Sequence, residues 1–173
     1  MTKNTAKNKL GFTLIELLVV ISIIALLMGI LVPVLRKARN AATSTACQAN
    51  LRSMGYAFMM YLDDNRQIMP PASIMPAEGV TTPSIMDFLM TYLSEPETFE
   101  CPADTQDDYY ENSGTSYGYN AKLGGTTVDR SFFAQVARCK AINIHVMRDL
   151  QPFHGRANYL YADGHVSDSR EQH

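Results

Sequence analysis

An uninterrupted apolar run extends from Phe12 to Leu35 near the start of the chain and includes one charged side chain, Glu16. As an α-helix its 24 residues would extend about 36 Å, which exceeds the roughly 30 Å hydrocarbon thickness of a bilayer. The run therefore predicts a membrane-spanning helix. The rest of the 173-residue chain is polar but holds enough apolar residues for one small domain.

The segment before the run is cationic. It contains Lys3, Lys7 and Lys9 and no acidic residue, so the positive-inside rule places it in the cytoplasm and the rest of the chain outside. A secretory signal also begins with a basic flank, but its apolar core is typically about 7–15 residues and its cleavage site follows that core. Here the run is longer and Gly11 precedes it.

The charge balance argues against a nucleic-acid partner. The whole chain carries a net charge of −2, and without the three N-terminal lysines the balance is −5. Surfaces that bind nucleic acid are instead rich in Lys and Arg, which neutralise phosphates. The outward part is therefore predicted to bind no nucleic acid.

Glu16 needs an explanation because a charge inside a membrane is expensive and usually has a partner. One interpretation is a carboxylate at the membrane interface that is partly hydrated or protonated. The other is an ionic partner created by cleavage between Gly11 and Phe12, which would place a new ammonium group one helical turn before Glu16. In an assembly, the Glu16 of a neighbouring chain could pair with that ammonium.

The stretch KLGFTLIEL, residues 9–17, resembles the prepilin cleavage and methylation motif of type IV pilins and type II secretion pseudopilins. The resemblance implies that a membrane peptidase cuts after Gly11 and methylates the new terminal Phe12. It also implies that Glu16 is the carboxylate used in subunit assembly. The implied partners are prepilin peptidase, other pilin or pseudopilin subunits and the inner membrane.

The same resemblance implies a domain order. Residues 1–11 form a cleaved basic leader, residues 12–35 form the transmembrane and assembly helix, and residues 36–173 form a periplasmic or extracellular head. Proline removes a helical hydrogen bond, so Pro33 predicts a kink or break in the first helix, with Gly29 loosening the same region. Lipid and neighbouring helices make such a break tolerable in a membrane span.

The helix is predicted to continue into the head as far as about residue 63. Apolar residues recur there at spacings of four, three, four and four, which is one face of an amphipathic helix: Cys47, Leu51, Met54, Phe58 and Leu62.

The rest of the head reads as short elements. Ser84 is predicted to cap a short helix that extends to about Tyr92. Residues 142–146 alternate apolar and polar side chains, the period of a strand. Asp163-Gly164 is predicted to form a type I′ turn in a hairpin. The predicted fold is therefore α+β and pilin-like, with a long N-terminal helix packed on a small antiparallel sheet.

The C-terminal part carries a second resemblance, through the segments FECPAD, SYGYN and HGRANYLYADGHV. These resemble a group of prepilin-like proteins named for a C-terminal His, nine residues and then Asp-Gly. In this chain eight residues separate His154 from Asp163-Gly164. The spacing therefore departs from that pattern by one residue.

An enzymatic head is the alternative to a structural one. His154, Asp163 and His165 are candidates for a metal or acid–base site. The turn itself accounts for Asp163-Gly164 by backbone geometry, with the histidines satisfying hydrogen bonds beside it. The chain has no CxxC pair, HExxH, GxSxG or phosphate loop. We therefore predict no catalytic residue, no metal and no cofactor.

Calcium remains an open alternative for the head. Some pseudopilins bind it in an acidic loop, and Asp104, Asp107 and Asp108 lie in a polar segment. They lack the ordered ligand spacing of an EF-hand loop.

Three cysteines cannot all pair within one chain. The outward location permits disulfides, and Cys101 with Cys139 is the predicted pair because both lie in the head. Cys47 is predicted to pack on the helix as a small hydrophobe. The other two pairings remain open at this stage.

These features together predict a pseudopilin or minor pilin, a structural subunit assembled through its N-terminal helix into a type II secretion pseudopilus or a type IV pilus-like fibre. The alternative is a membrane-tethered enzyme or binding module with an outward-facing head.

Overall fold

The computed structural model describes residues 13–74, 82–105, 109–130, 140 and 143–168. The chain divides into two compact units, an N-terminal unit of residues 1–39 and a globular unit of residues 40–173. Among the described residues the helices and strands are, in chain order, α1 (Leu14–Asp64), α2 (Ile85–Leu89), α3 (Tyr109–Ser113), β1 (Tyr117–Tyr119), β2 (His145–Asp149), β3 (Tyr159–Tyr161) and β4 (Val166–Ser167). The α+β architecture with one long N-terminal helix is therefore confirmed.

Helix α1 is 51 residues long and is not interrupted at Pro33. The predicted break is therefore absent from this structure. Proline at this position removes only the bond from its own nitrogen to the carbonyl of Gly29, and helical backbone continues on both sides.

The end of α1 at Asp64 matches the prediction to within one residue. Arg66 and Gln67 adopt left-handed backbone angles, with φ of 55° and 62°. The N–H of Gln67 donates to the carbonyl of Leu62 at 2.8 Å. This contact satisfies one of the carbonyls that a helix end leaves free, and the left-handed residues stop the helix.

In the N-terminal unit the apolar side chains of α1 are exposed on every face. Within the described residues, α1 is the one helix long and apolar enough to cross a membrane, and none of its apolar window is buried inside the protein. Apolar surface of this extent is stable in lipid or against other apolar helices rather than in water.

In the globular unit α1 buries one face, as its spacing predicts. All five residues of the predicted stripe, from Cys47 to Leu62, are at most 3% exposed. Gly55 allows close packing there, because a Cβ at that position would lie 2.9 Å from Cδ1 of Leu160 on β3. The helix therefore forms one wall of the core.

The four strands form one antiparallel sheet in the order β1-β2-β3-β4. The register pairs Tyr119 with Met147, Met147 with Leu160 and Leu160 with Val166. The core accordingly contains residues of both the helix and the sheet, including Tyr117, Tyr119, Val146, Met147 and Leu160.

Strand β2 departs from the simple alternation predicted for residues 142–146. The register shifts between His145 and Met147, and Val146 and Met147 are both buried. An irregularity of this kind places an extra residue against the partner strand, so two consecutive side chains can face the core. Ile144 is buried as predicted, and Ile142 lies outside the described residues.

Ser84 is the N-cap of α2, as predicted, although α2 ends at Leu89 rather than near Tyr92. The carboxylate of Asp87 accepts hydrogen bonds from the backbone N–H of Ser84 at 2.7 Å and from its hydroxyl at 3.0 Å. A hydrogen bond from the N-cap backbone N–H to an acidic side chain three residues later is one half of a capping box.

The turn between β3 and β4 is not the predicted type I′ turn, because only Gly164 has a positive φ, 88°. The N–H of Gly164 donates to the carbonyl of Tyr161, and the N–H of Tyr161 donates to the carbonyl of His165, each at 2.9 Å. Ala162 and Asp163 are therefore the central residues of the turn, and Gly164 follows as the left-handed residue of a bulge. This is the usual geometry of a three-residue hairpin loop.

A buried polar chain connects α1 to the sheet. Gln48 on α1 donates from Nε2 to Oδ1 of Asn158 at 3.0 Å. Asn158 in turn donates from its backbone N–H and from Nδ2 to Oδ2 of Asp149, at 2.8 and 2.9 Å. Asp149 is fully buried, and its Oδ1 has no hydrogen-bond partner within the described part of the chain. Burial raises the pKa of Asp149 to about 7 although the two bonds from Asn158 oppose that shift.

The turn generates a first prediction, that Gly164→Val destabilises the globular unit by at least about 1 kcal/mol. A branched side chain is strained at a positive φ, and its Cβ would lie 3.4 Å from Cε of Met59. Urea unfolding followed by circular dichroism measures the change. The matched control is Gly164→Asn, which tolerates left-handed backbone and should lose less stability. Equal stability of the valine variant and the wild type would contradict the observed turn.

The buried carboxyl of Asp149 generates a second prediction, on pH dependence. Because the folded pKa of Asp149 lies near 7 and its ordinary value is 3.8, the folded state holds this proton more tightly than the unfolded state. The contribution of Asp149 to stability is therefore full below about pH 4 and declines as the pH rises to about 7.

Between pH 5 and pH 8 the wild type should lose at least about 1 kcal/mol more unfolding free energy than Asp149→Asn, since one pKa unit corresponds to about 1.4 kcal/mol. Urea unfolding of the full chain in detergent at both pH values gives the comparison. Asp168→Asn, which changes an exposed acid of the same unit, should retain the wild-type pH dependence. Parallel pH profiles for the wild type and Asp149→Asn would show that Asp149 stays ionised when folded.

Candidate functional site

The start of α1 is held by a reciprocal contact between Thr13 and Glu16. Oε2 of Glu16 accepts hydrogen bonds from the backbone N–H of Thr13 at 2.9 Å and from its hydroxyl at 2.7 Å. The hydroxyl oxygen of Thr13 accepts the N–H of Glu16 at 3.3 Å. These contacts form a capping box, so Glu16 satisfies backbone groups at the first turn of the helix.

The capping contacts leave part of the Glu16 carboxylate available. Only Oε2 is used in the bonds with Thr13, and the residue is exposed. Oε1 can therefore accept a further donor without loss of the cap. The predicted processing residues Gly11 and Phe12 lie outside the described residues.

The cysteines pair differently from the prediction. Cys47 on α1 forms a disulfide with Cys101, and their Cα atoms are 5.3 Å apart. The predicted bond between Cys101 and Cys139 is therefore wrong for this structure, because a sulfur atom forms only one disulfide. Cys139 lies outside the described residues. Cys47 is buried on the apolar face of α1, but the prediction that it packs there as a small hydrophobe is wrong, because it is bonded to Cys101.

His154 lies against this disulfide. Its Nε2 is 3.3 Å from Sγ of Cys101, and its Nδ1 is 3.4 Å from Oγ1 of Thr43 on α1. Burial lowers the pKa of His154, so the imidazole is neutral at pH 7. The Sγ atoms of Cys47 and Cys101 and one nitrogen of His154 all lie within 4.8 Å of one another. Because both sulfurs are bonded to each other, neither is a thiolate ligand, and we assign no metal site.

Asp163 and His165 form a separate pair. Oδ1 of Asp163 contacts Nδ1 of His165 at 2.5 Å, and both side chains are about one third exposed. The ring of His165 stacks on Tyr161 with centroids 4.3 Å apart and planes 4° apart. His154 contacts Cys101 and Thr43, whereas Asp163 and His165 contact each other. The three candidates for an acid–base site are therefore not brought together through these contacts.

Asp104 is used structurally. Its carboxylate accepts the backbone N–H groups of Tyr109 and Tyr110 at 3.2 and 3.0 Å, at the start of α3. It also accepts the hydroxyl of Ser116 at 2.7 Å. Asp107 and Asp108, the other residues of the calcium alternative, lie outside the described residues.

Two contacts of the candidate site were not predicted from the sequence. The Thr-x-x-Glu spacing of Thr13 and Glu16 is a recognisable capping-box pattern. The prediction for Glu16 rested on its charge in an apolar segment and did not include a cap. The contact of His154 with Cys101 spans 53 residues of sequence and has no local signal.

Two comparisons with known proteins find sequences similar to parts of this chain. Residues 6–32 match the family model of the prokaryotic N-terminal methylation motif. The chain is 37% identical over 83 residues to the type IV wide pilus major component PilA4 of Thermus thermophilus, across 47% of this chain and 63% of that protein. The match thus spans less than two thirds of that relative. No solved structure matches the chain. The chain thus carries an N-terminal methylation motif, is similar to a type IV pilin over part of its length, and joins a long helix to a small antiparallel sheet.

Proposed function

We propose that this protein is a structural subunit of a type IV pilus-like fibre or a type II secretion pseudopilus. The observation that carries the proposal is an α1 whose first half exposes apolar side chains on every face and largely coincides with the methylation motif matched by residues 6–32. A helix of that kind is suited to storage in a bilayer and to packing among identical helices. The relative PilA4, a major component of a wide pilus, supports a role in a fibre.

Processing by prepilin peptidase is the first step of the proposed function. Cleavage after Gly11 would remove the basic leader and make Phe12 the N-terminal residue, carrying a methylated ammonium. That group would lie next to Thr13, the N-cap of α1, and therefore at the positive end of the helix. An ammonium there is unfavourable near the helix N-terminus, so a carboxylate partner stabilises it.

Glu16 is the proposed partner of that ammonium on a neighbouring subunit. Its Oε2 is bonded to Thr13 of the same chain, and Oε1 accepts the incoming donor. In the low dielectric of packed apolar helices such a pair is strong, and an unpaired carboxylate there is costly. Pairing therefore favours one axial register between neighbouring helices.

The proposed location is the inner membrane before assembly. The basic leader stays in the cytoplasm by the positive-inside rule, the apolar half of α1 spans the bilayer, and the globular unit lies in the periplasm or outside the cell. A disulfide between Cys47 and Cys101 supports an oxidising compartment for the globular unit.

Processing yields a third prediction. When the chain is coexpressed with a prepilin peptidase, Gly11→Val should remain full length because a branched side chain obstructs the scissile bond. The wild type should start with N-methyl-phenylalanine. Intact mass and N-terminal peptide mass spectrometry distinguish the two forms. Gly29→Val, the same substitution where a new Cβ has nothing within 4 Å, should be processed normally. Normal processing of Gly11→Val would exclude this cleavage site.

Assembly yields a fourth prediction, in which three variants separate charge from capping. Glu16→Ala and Glu16→Gln should insert into the membrane at least as well as the wild type, since each removes a costly charge. Both should lower cross-linked multimers or sheared fibre by at least about tenfold, which corresponds to about 1.4 kcal/mol. Thr13→Ala removes the cap and keeps the carboxylate, so it should still assemble.

Immunoblots of cross-linked and sheared fractions measure the yield of each variant. Equal loss in Thr13→Ala and Glu16→Gln would indicate that Glu16 acts as a helix cap. Unchanged yield in Glu16→Gln would exclude an ionic role for Glu16 in assembly.

A further inference from the structure

The disulfide between Cys47 and Cys101 is buried beneath the loop that carries His154. Both cysteines are 0% exposed. Gln151, Pro152, Gly155 and Arg156 on either side of His154 are exposed, so this loop lies at the surface while His154 contacts the buried sulfur of Cys101. Nε2 of His154 lies 3.3 Å from Sγ of Cys101.

The hydrogen bonds of Thr43 match one tautomer of the imidazole of His154. The hydroxyl of Thr43 donates its one proton to the carbonyl of Asn40 at 3.0 Å. Toward Nδ1 of His154, at 3.4 Å, the hydroxyl oxygen can accept. In the tautomer that donates from Nδ1 to Thr43, Nε2 presents a lone pair to Cys101.

We propose that His154 is the proton acceptor that makes Cys101 the attacking thiolate when the disulfide with Cys47 forms. During folding of the reduced chain, while Cys47 is still accessible, an external disulfide exchanges with Cys47, giving a mixed disulfide and releasing one external thiol. Nε2 of His154 then takes the proton from the Cys101 thiol. The Cys101 thiolate attacks the sulfur of Cys47, the bond to the external sulfur breaks, and the imidazolium returns its proton to the departing thiolate. The net reaction reduces one external disulfide to two thiols and oxidises two cysteines.

The backbone that carries the attacking sulfur is held by two hydrogen bonds. The carbonyl of Glu100 accepts Nδ2 of Asn50 on α1 at 2.7 Å, and the backbone N–H of Cys101 donates to the hydroxyl of Ser116 at 3.0 Å. These bonds attach the Cys101 segment to α1 and to Ser116, the residue before β1. Neither bond requires the disulfide to be formed. The contact between His154 and Thr43 on α1 also does not require the disulfide.

The electrostatic surroundings favour a neutral imidazole at the start of the reaction. On the Cys101 segment the titratable neighbours are Glu100 and Asp104, and Asp104 is bonded to Ser116. On the His154 loop Arg156 pairs with Asp168 at 3.6 Å. Four α1 residues whose contacts with these segments are described here carry no charge: Thr43, Cys47, Gln48 and Asn50. Burial, which lowers the pKa of His154, keeps the base unprotonated at pH 7.

The test measures ring closure in the reduced full-length chain in detergent, with Cys139→Ser in every variant. Oxidised glutathione is added at concentrations where the rate no longer depends on it, so closure is rate-limiting. Alkylation and mass spectrometry count the remaining thiols. At pH 7 His154→Gln should close at least about tenfold more slowly than the wild type, the lower part of the range for base catalysis. At pH 9.5, above the ordinary thiol pKa of about 8.5, the two rates should agree within about twofold.

Two controls separate base catalysis from packing. His165→Gln, at the other candidate histidine, should close at the wild-type rate at both pH values. Thr43→Val keeps the imidazole but removes the acceptor of Nδ1–H, so it should slow closure about threefold at pH 7 and not at pH 9.5. An equal deficit of His154→Gln at both pH values, or none at pH 7, would overturn the proposal.

The wild type alone provides a test that does not depend on the folding of a variant. With His154 as the base, the closure rate should rise less than about twofold between pH 7 and pH 8. A thiol that ionises without help becomes about tenfold more reactive over that interval. A tenfold rise in the wild type would therefore also overturn the proposal.

Discussion

The globular unit depends on the buried face of α1 between Cys47 and Leu62. Core residues of the sheet belong to the same hydrophobic cluster as this face, and Leu160 lies beside Gly55. The unit has no other long helix among its described residues. The four strands have between two and five residues, and a sheet that small is not stable without a packed face. The helix therefore supplies the surface on which the sheet can fold.

The same helix has to satisfy a different environment in its first half. Apolar side chains between Leu14 and Leu35 are exposed all round, whereas the second half buries one apolar stripe and exposes mainly polar residues elsewhere, with Tyr56 and Met60 as exceptions. A single helix can do both because its backbone hydrogen bonds are internal and do not depend on the surrounding solvent. The change from all-round to one-sided apolarity is visible in the sequence.

The disulfide strengthens the contact between α1 and the rest of the unit. Cys47 and Cys101 are 54 residues apart, and in the chain-entropy model closing a loop of that length stabilises the fold by about 4 kcal/mol. The buried polar chain from Gln48 through Asn158 to Asp149 is a second link of helix to sheet. Apolar contact, covalent bond and hydrogen bonds thus converge on the segment of α1 around Cys47.

The sequence predicts the features that depend on local pattern. The C-terminal end of α1, its buried stripe, the cap at Ser84 and the hairpin near Gly164 all follow from periodicity or from backbone preference. The cysteine pairing and the irregularity in β2 do not, because each depends on which distant segments meet. The type of turn was also wrong, since Asp-Gly suits both a two-residue turn and the bulged turn observed.

The positions of His154 and Asp163-Gly164 explain how their spacing can differ by one residue from the pattern they resemble. Strand β3 lies between them in sequence, with His154 in the loop before it and Asp163-Gly164 in the turn after it. Shortening β3 by one residue would move its later side chains to the opposite face of the sheet. A residue lost between Gly155 and Asn158 changes only loop length, which is tolerated more easily. The two parts of the pattern therefore serve separate contacts, His154 at the disulfide and Asp163-Gly164 at the turn, and need not act as one chemical site.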